Sequence, residues 1–355
     1  MNDVILDVRK LNTTVAMDGE RIPIVRDVSF QLRKGETLAL VGESGCGKTM
    51  TMQSVVRLLP KNAEVRAEQI LYRSFRSGTP VETRIDRLSG RSRQMRALRG
   101  REISMVFQDP MASLNPVYRV GDQITEGLLE HERGMKKPEA RAKALELLKK
   151  LGIPAAEERV NAYPHQLSGG MKQRVVIAIA MICDPEIIIA DEPTTALDVT
   201  IQSQIMELLQ ELKRDWHKSI ILITHNMGLV AEIADQVAVM YMGRIVEYGS
   251  AQSVFESPLH PYTRGLLRSV PVLGMDREKE LQTIPGNTPD TRDSAPGCAF
   301  QDRCEECEDS CRTGRIPAFG AGGEGFIRCC YATDINKIKI AMERLAQLVK
   351  EKTGK

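Results

Sequence analysis

Apolar and polar residues alternate along the first part of the chain in the manner of strands, at 4–11 and again at 24–32. Lys34-Gly35 then marks a turn into 37–41, a short run dominated by Leu, Ala and Val. Runs of similar length occur at 102–108, 186–190 and 219–224. Unbroken apolar runs of this kind suit parallel strands covered on both faces. Between them the spacing becomes helical, at 50–59, 171–182 and 201–216, and throughout 117–151. The clearest helix spans 137–151, with Pro138 near its start and Gly152 just beyond its end. Strand and helix alternate, which predicts an α/β sheet protein with its ligand at the strand ends.

Two stretches depart from this rhythm. Ten arginines fall between Arg66 and Arg101, with few large apolar residues among them. A basic face for nucleic acid would use a series of aromatic platforms between the cations; only Tyr72 and Phe75 lie among these arginines. The segment therefore reads as a solvated insertion of strands and turns. Past residue 250 the alternation stops, and residues 335–355 end the chain with Ile338, Met342, Leu345 and Val349 at helical spacing among lysines. That pattern predicts an amphipathic helix docked on protein.

Composition narrows the class. The formal net charge of +2 on 355 residues makes no global case for nucleic acid or an acidic membrane surface. No apolar stretch approaches the roughly 20 residues of a membrane-spanning helix, and the first residues lack the basic start and apolar core of a signal peptide. A cytosolic location is expected, where thiols stay reduced. Of eight cysteines, six lie between Cys298 and Cys330, so metal binding has to be considered there.

The chemistry centres on Gly42 to Thr49, which fits G-x-x-x-x-G-K-S/T without a mismatch between the 37–41 strand and the 50–59 helix. Backbone N–H groups and a helix start converge there on one spot, suited to a chain of phosphates. Lys48 would reach the β- and γ-phosphates, and Thr49 would supply a hydroxyl to Mg²⁺. Gly42, Glu43, Ser44, Gly45, Cys46, Gly47, Lys48, Thr49 and Met50 form the expected nucleotide-binding stretch. Asp191 ends an apolar strand and can hold the metal with Thr49; Glu192 is placed to polarise a water for in-line attack. Paired acids after a strand can instead cap a helix. His225 and Gln108 each close a strand; His225 is a candidate γ-phosphate sensor, and Gln108 can reach the metal or the water. Ser168, Gly169 and Gly170 open a helix and make a second anion-binding end.

In order and spacing, the phosphate loop, Gln108, Leu167-Ser-Gly-Gly-Met171, Asp191-Glu192, Ala196-Leu-Asp198 and His225 resemble an ATP-binding-cassette ATPase. The resemblance implies a P-loop cassette with a RecA-like core, an antiparallel β subdomain and a helical subdomain at about 110–180. It also implies a head-to-tail cassette dimer, in which Ser168, Gly169, Gly170 and Asp198 act in trans on the partner's ATP. Met171 stands where the family usually has Gln. The family's adenine-stacking aromatic has no counterpart before Phe30, leaving Val15 or a neighbouring aliphatic as the platform.

The tail extends the resemblance. His260-Pro-Tyr-Thr-Arg-Gly and Pro296-Gly-Cys-Ala-Phe-Gln-Asp-Arg-Cys304 are similar to the C-terminal extension of oligopeptide and dipeptide importer ATPases, as are Tyr163-Pro-His-Gln and the 106–116 segment. The implied division is a cassette at 1–255, a cysteine-containing extension at 256–333 and a final helix at 334–355. The implied partners are a related second ATPase subunit, two membrane permease subunits and, through them, an external peptide-binding protein. The chain would then sit peripherally on the cytoplasmic face of a bacterial or archaeal membrane. Cys298, Cys304, Cys311 and Cys329 match the positions where some members hold a 4Fe–4S cluster, which the resemblance favours over zinc, although four thiolates suit either; Cys307 and Cys330 are further thiols. Nickel or other small-solute importers share the cassette and much of the tail. A soluble non-transport ATPase would usually carry two cassettes or a long coiled coil, which this chain lacks. A third reading makes the cysteine tail a redox sensor.

Overall fold

The computed structural model of the chain describes residues 3–132, 134–195, 197–270, 283–289, 297–313, 319–321 and 325–327. Strands β1 (Val4–Met17) and β2 (Glu20–Arg33) form a long antiparallel hairpin. Its turn needs left-handed backbone, supplied by Asp18 and Gly19 at φ 52° and 83°. Strand β3 (Thr37–Val41) follows, then β4 (Ala63–Arg66), β5 (Gln69–Ser74) and β6 (Val81–Arg84). With β1 and β2, these last three build an antiparallel sheet of five strands. The arginine-rich insertion is therefore strands and turns, with two short helical segments at Ile85–Arg87 and Arg93–Leu98. Four of its arginines are tied into the fold. Arg73 pairs with Glu82, Arg76 with Glu102 and Arg84 with Asp86, while Arg99 donates to the carbonyls of Val56, Arg57 and Gly90.

The second sheet adds β7 (Ile103–Val106), β8 (Ile187–Asp191), β9 (Ser219–Thr224), β10 (Gln236–Tyr241) and β11 (Arg244–Ser250). Its order is β11-β10-β3-β9-β8-β7, parallel except for the antiparallel edge strand β11. Every residue of β3, β8 and β9 is buried, which accounts for their unbroken apolar runs. Ile221, Ile189 and Leu40 face the β-rich core beneath β1 and β2. Ile188, Ile220 and Leu222 face a second core. There the helices Val120–His131, Lys137–Lys150 and Gly169–Met181 pack together through Ile124, Ala144, Leu148 and Val175. The placement of β3 beside β9 and β9 beside β8 brings three strand ends together. That is where the predicted site residues lie.

The extension docks on the far edge of the same sheet. Glu247 on β11, only 5% exposed, accepts from the backbone N–H groups of Leu259 (2.8 Å) and His260 (3.0 Å). His260 Nδ1 then caps the helix Pro261–Arg268 by accepting from the Tyr262 N–H. Tyr241, Tyr262 and Phe300 close a third core with ring centroids 4.7–5.4 Å apart. Short strands β12 (Phe319–Ala321) and β13 (Gly325–Ile327) pair antiparallel. The expected helix at 334–355, Cys329 and Cys330 lie outside the described residues.

Candidate active site

The phosphate loop links β3 to the helix Lys48–Val55. Two of its glycines are required by space as well as by angle. A Cβ on Gly42 would meet the Met240 carbonyl oxygen at 2.2 Å, and Gly47, at φ 101°, has the Ile24 carbonyl oxygen 3.0 Å from where its Cβ would lie. Gly47 caps the helix without a side-chain hydrogen bond, which leaves the first N–H groups open to an anion. Lys48 is buried at 5% exposure and donates to the carbonyls of Gly42 (2.7 Å) and Glu43 (2.9 Å). The ammonium thus holds two oxygens of the loop itself.

Thr49 Oγ1 donates to Asp191 Oδ1 at 3.0 Å. Burial pushes the Asp191 carboxyl up to about 6; the Thr49 hydrogen bond and the Lys48 charge pull it down, and the neighbouring Glu192 raises it. A hydroxyl and a buried carboxyl that resists ionising are a donor set a hard divalent cation would complete. Glu192 follows at φ 44°, a left-handed conformation uncommon outside glycine. This kink turns its side chain into a ring of polar partners. Gln108 Nε2 donates to Oε2 at 2.8 Å, Thr195 Oγ1 donates to the same oxygen at 2.9 Å, and His225 Nδ1 lies 3.3 Å from Oε1. The helix-cap alternative for Asp191 and Glu192 is not what the chain adopts. The next helix, Val199–Arg214, is capped instead by Asp198, which accepts from the Ile201 N–H at 3.0 Å.

Ser168 caps the helix Gly169–Met181, its hydroxyl accepting from the Met171 N–H at 3.4 Å. Ser168 and Gly169 are exposed, while Gly170 is buried against Ile201. Among the described residues, no hydrogen bond joins this segment to the phosphate loop. Asp198 and Ser168 therefore lie at adjoining helix starts, apart from the bonds that organise Lys48, Thr49, Asp191 and Glu192. Val15, named as an adenine platform, is itself only 7% exposed. Met17, two residues on along β1, is 46% exposed.

Sequence reasoning missed what the extension contributes. Glu43 belongs to the expected nucleotide stretch, yet its backbone N–H donates to Tyr262 Oη at 2.8 Å and its carboxylate receives Arg303. Tyr262 and Arg303 lie within the two tail motifs, but nothing in those motifs says which surface they meet. Thr195, the third partner of Glu192, also carried no signal beyond its closeness in sequence.

The metal reading of the tail fares differently. Cys298, Cys304, Cys307 and Cys311 share the apolar pocket with Phe300, Tyr241 and Tyr262, and burial raises the Cys304 thiol to about 11. Among the described residues, however, no three His, Cys, Asp or Glu side chains form a group able to hold a metal ion. The described thiols thus share a pocket without a ligand geometry.

A phosphate loop, a hydroxyl–carboxylate pair and a carboxylate held by Gln and His, all at the ends of adjacent parallel strands, define a P-loop nucleotide hydrolase. Residues 25–195 match the ABC transporter family, and residues 246–311 match the oligopeptide/dipeptide transporter C-terminal region. The dipeptide transport ATP-binding protein DppD of Bacillus subtilis is 50% identical over 84% of this chain and 86% of its own length. The oligopeptide transport ATP-binding protein OppD of Salmonella typhimurium is 45% identical over 93% of this chain and 94% of its own. A solved ATP-binding cassette, dimeric in a post-hydrolysis state with ADP and Pi, aligns with TM-score 0.58 at 26% identity, covering 69% of this chain and 98% of that one. The chain belongs to the ATP-binding-cassette ATPases, in the branch that carries the oligopeptide/dipeptide transporter C-terminal region.

Proposed function

We propose that this chain is the ATP-hydrolysing subunit that powers uptake of dipeptides or oligopeptides, through ATP-driven closure and opening of a cassette dimer. The observation that carries the reading is Glu192, kinked out of β8 beside the Thr49–Asp191 pair and held by Gln108, Thr195 and His225. Lys48 exchanges its two loop carbonyls for the β- and γ-phosphates. Thr49 and Asp191 would hold Mg²⁺, which would supply charge neutralisation to the phosphates. Glu192 accepts a proton from the attacking water, and Gln108 and His225 keep its carboxylate aimed. Ser168, Gly169, Gly170 and Asp198 act on the partner's nucleotide, consistent with the exposure of Ser168 and Gly169.

The division into a cassette at 1–255, an extension at 256–333 and a helix at 334–355 belongs to the same proposal. So do the partners: a related second cassette, two permease subunits at the membrane and an external peptide-binding protein. Among the described residues no helix is long and apolar enough to cross a membrane, which fits a peripheral subunit on the cytoplasmic face. The 4Fe–4S cluster on Cys298, Cys304, Cys311 and Cys329 rests on the resemblance alone. Iron, sulfide and zinc analysis of anaerobically purified protein decides it.

Glu192→Gln in the assembled importer tests the central reading. Removing a positioned base costs about 10³-fold in turnover, while ATP affinity persists and the closed dimer accumulates. Full turnover at a site that depends on this chain's Glu192 would refute it.

A further inference from the structure

We propose that Arg303 is a positioning residue for ATP binding: through a two-pronged bond to Glu43, the C-terminal extension sets the shape of the phosphate loop. This rests on the reading of Gly42 to Thr49 as the ATP site. Arg303 Nη1 donates to Glu43 Oε2 at 2.6 Å, and Nη2 donates to Oε1 at 2.9 Å. Such fork-to-fork pairing fixes geometry as well as charge. Thr288 Oγ1 donates to the same Oε2 at 3.1 Å. The guanidinium is itself held, since Nε donates to the Pro285 carbonyl at 2.9 Å and the group lies about 6 Å from the ring centres of Tyr241 and Phe300. The Arg303 side chain is only 5% exposed, against 26% for Glu43.

Every polar group of Glu43 is therefore engaged. Its N–H meets Tyr262, its carboxylate meets Arg303 and Thr288, and its carbonyl accepts from Lys48. Tyr262, Thr288 and Arg303 all come from beyond β11, and Lys48 is the cation the phosphates recruit. The arrangement also removes an electrostatic fault. A bare carboxylate at position 43 would repel the phosphates; burial would raise its pKa, but the hydrogen bonds and charge of Arg303, together with the bonds to Thr288 and Tyr262, outweigh that and hold it below the usual carboxylate range. Gly42 and Gly45, on either side of the contact, leave the loop without stiffness of its own. The extension supplies that stiffness from outside.

The test titrates MgATP onto the full-length chain and measures kcat and KM in the assembled importer. Arg303→Gln is expected to weaken ATP binding about tenfold, the loss of one strong charge-assisted contact, with kcat within about twofold because Arg303 touches no reacting atom. Arg303→Lys keeps the charge but not the fork and falls between. Glu43→Gln also weakens binding, and the Arg303→Gln/Glu43→Gln double variant is no worse than the worse single. The sign for Glu43→Gln separates the alternatives: were the carboxylate only a local negative charge, its removal would tighten ATP. Tighter binding by Glu43→Gln, unchanged affinity in folded Arg303→Gln, or additive effects in the double variant would each overturn the proposal. If Arg303→Gln does not fold, wild-type affinity in both Arg303→Lys and Glu43→Gln overturns it instead. Failure of the wild-type chain to bind MgATP would strike the underlying ATP-site reading, not the brace.

Discussion

Two helix starts in this chain can face phosphate, one at Lys48 and one at Gly169, and they are supported in different ways. The first is held by Asp191 from β8, by the Met240 backbone pressed against Gly42, and by Tyr262, Thr288 and Arg303 of the extension. The second has the Ser168 cap and the packing of Gly170 on Ile201, with Ser168 and Gly169 left in solvent. The difference fits the proposal that the first holds this chain's own nucleotide and the second closes the partner's. A loop that must hold the charge of a triphosphate is preorganised by its own chain. On the same proposal, a segment that closes another subunit's pocket stays accessible, as Ser168 and Gly169 do.

Substitutions at the exposed helix start give the sharpest break. Ser168→Arg is expected to lower turnover of the assembled importer about 100-fold, the scale of losing a positioned transition-state donor, while the isolated chain keeps its own affinity for ATP. An equal loss of affinity in the isolated chain would mean that both helix starts serve one nucleotide. At the Lys48 side, Asp191→Asn is expected to stabilise the nucleotide-free chain. A carboxyl lifted from 3.8 to about 6 costs about 3 kcal/mol at roughly 1.4 per pH unit, a cost fully present above about 6 and relieved as pH falls toward 3.8. Urea unfolding at pH 7 reads this gain, and Mg²⁺-dependent ATP binding is lost in the same variant. The wild-type chain should show the matching pH dependence. Since the metal needs the ionised carboxylate, Mg²⁺-dependent affinity falls by up to about tenfold per unit below pH 6 and is flat above it, as calorimetry across pH 5–8 would show. In the stability of the isolated chain the effect of Ser168→Ala is the smallest of these, about 0.5–1 kcal/mol for the lost cap, read by thermal unfolding.

Much of the fold was legible because it is written locally. Continuous apolar runs at 37–41, 186–190 and 219–224 can be satisfied only by burial on both faces, and all three are buried parallel strands. The phosphate loop was legible because its glycines answer local demands of angle and space. Gln108, Asp191, Glu192 and His225 could be picked out as strand-end polar residues, but their mutual contacts could not. The carboxylates after β8 show why. The same two acids can cap a helix or face the phosphate loop, and local pattern does not separate these; the strand order, which sets β8 two places from β3 and lets Thr49 reach Asp191, does. Burial is also left open by local pattern: Val15 on β1 is only 7% exposed, yet a β-branched residue on a strand reads alike whether its face is open or covered.

Local sequence suffices for the elements, the phosphate-binding turn and the residue types available for hydrolysis, because each depends on neighbours within a few positions. The tertiary structure decided which of those residues meet. Thr49 reaches Asp191 across 142 positions and Arg303 reaches Glu43 across 260. Contacts at that range depend on sheet order and on how the extension's aromatic core seats against Tyr241. Hydrophobic burial drives that seating, and burial is non-directional. No local pattern encodes which surface it will cover.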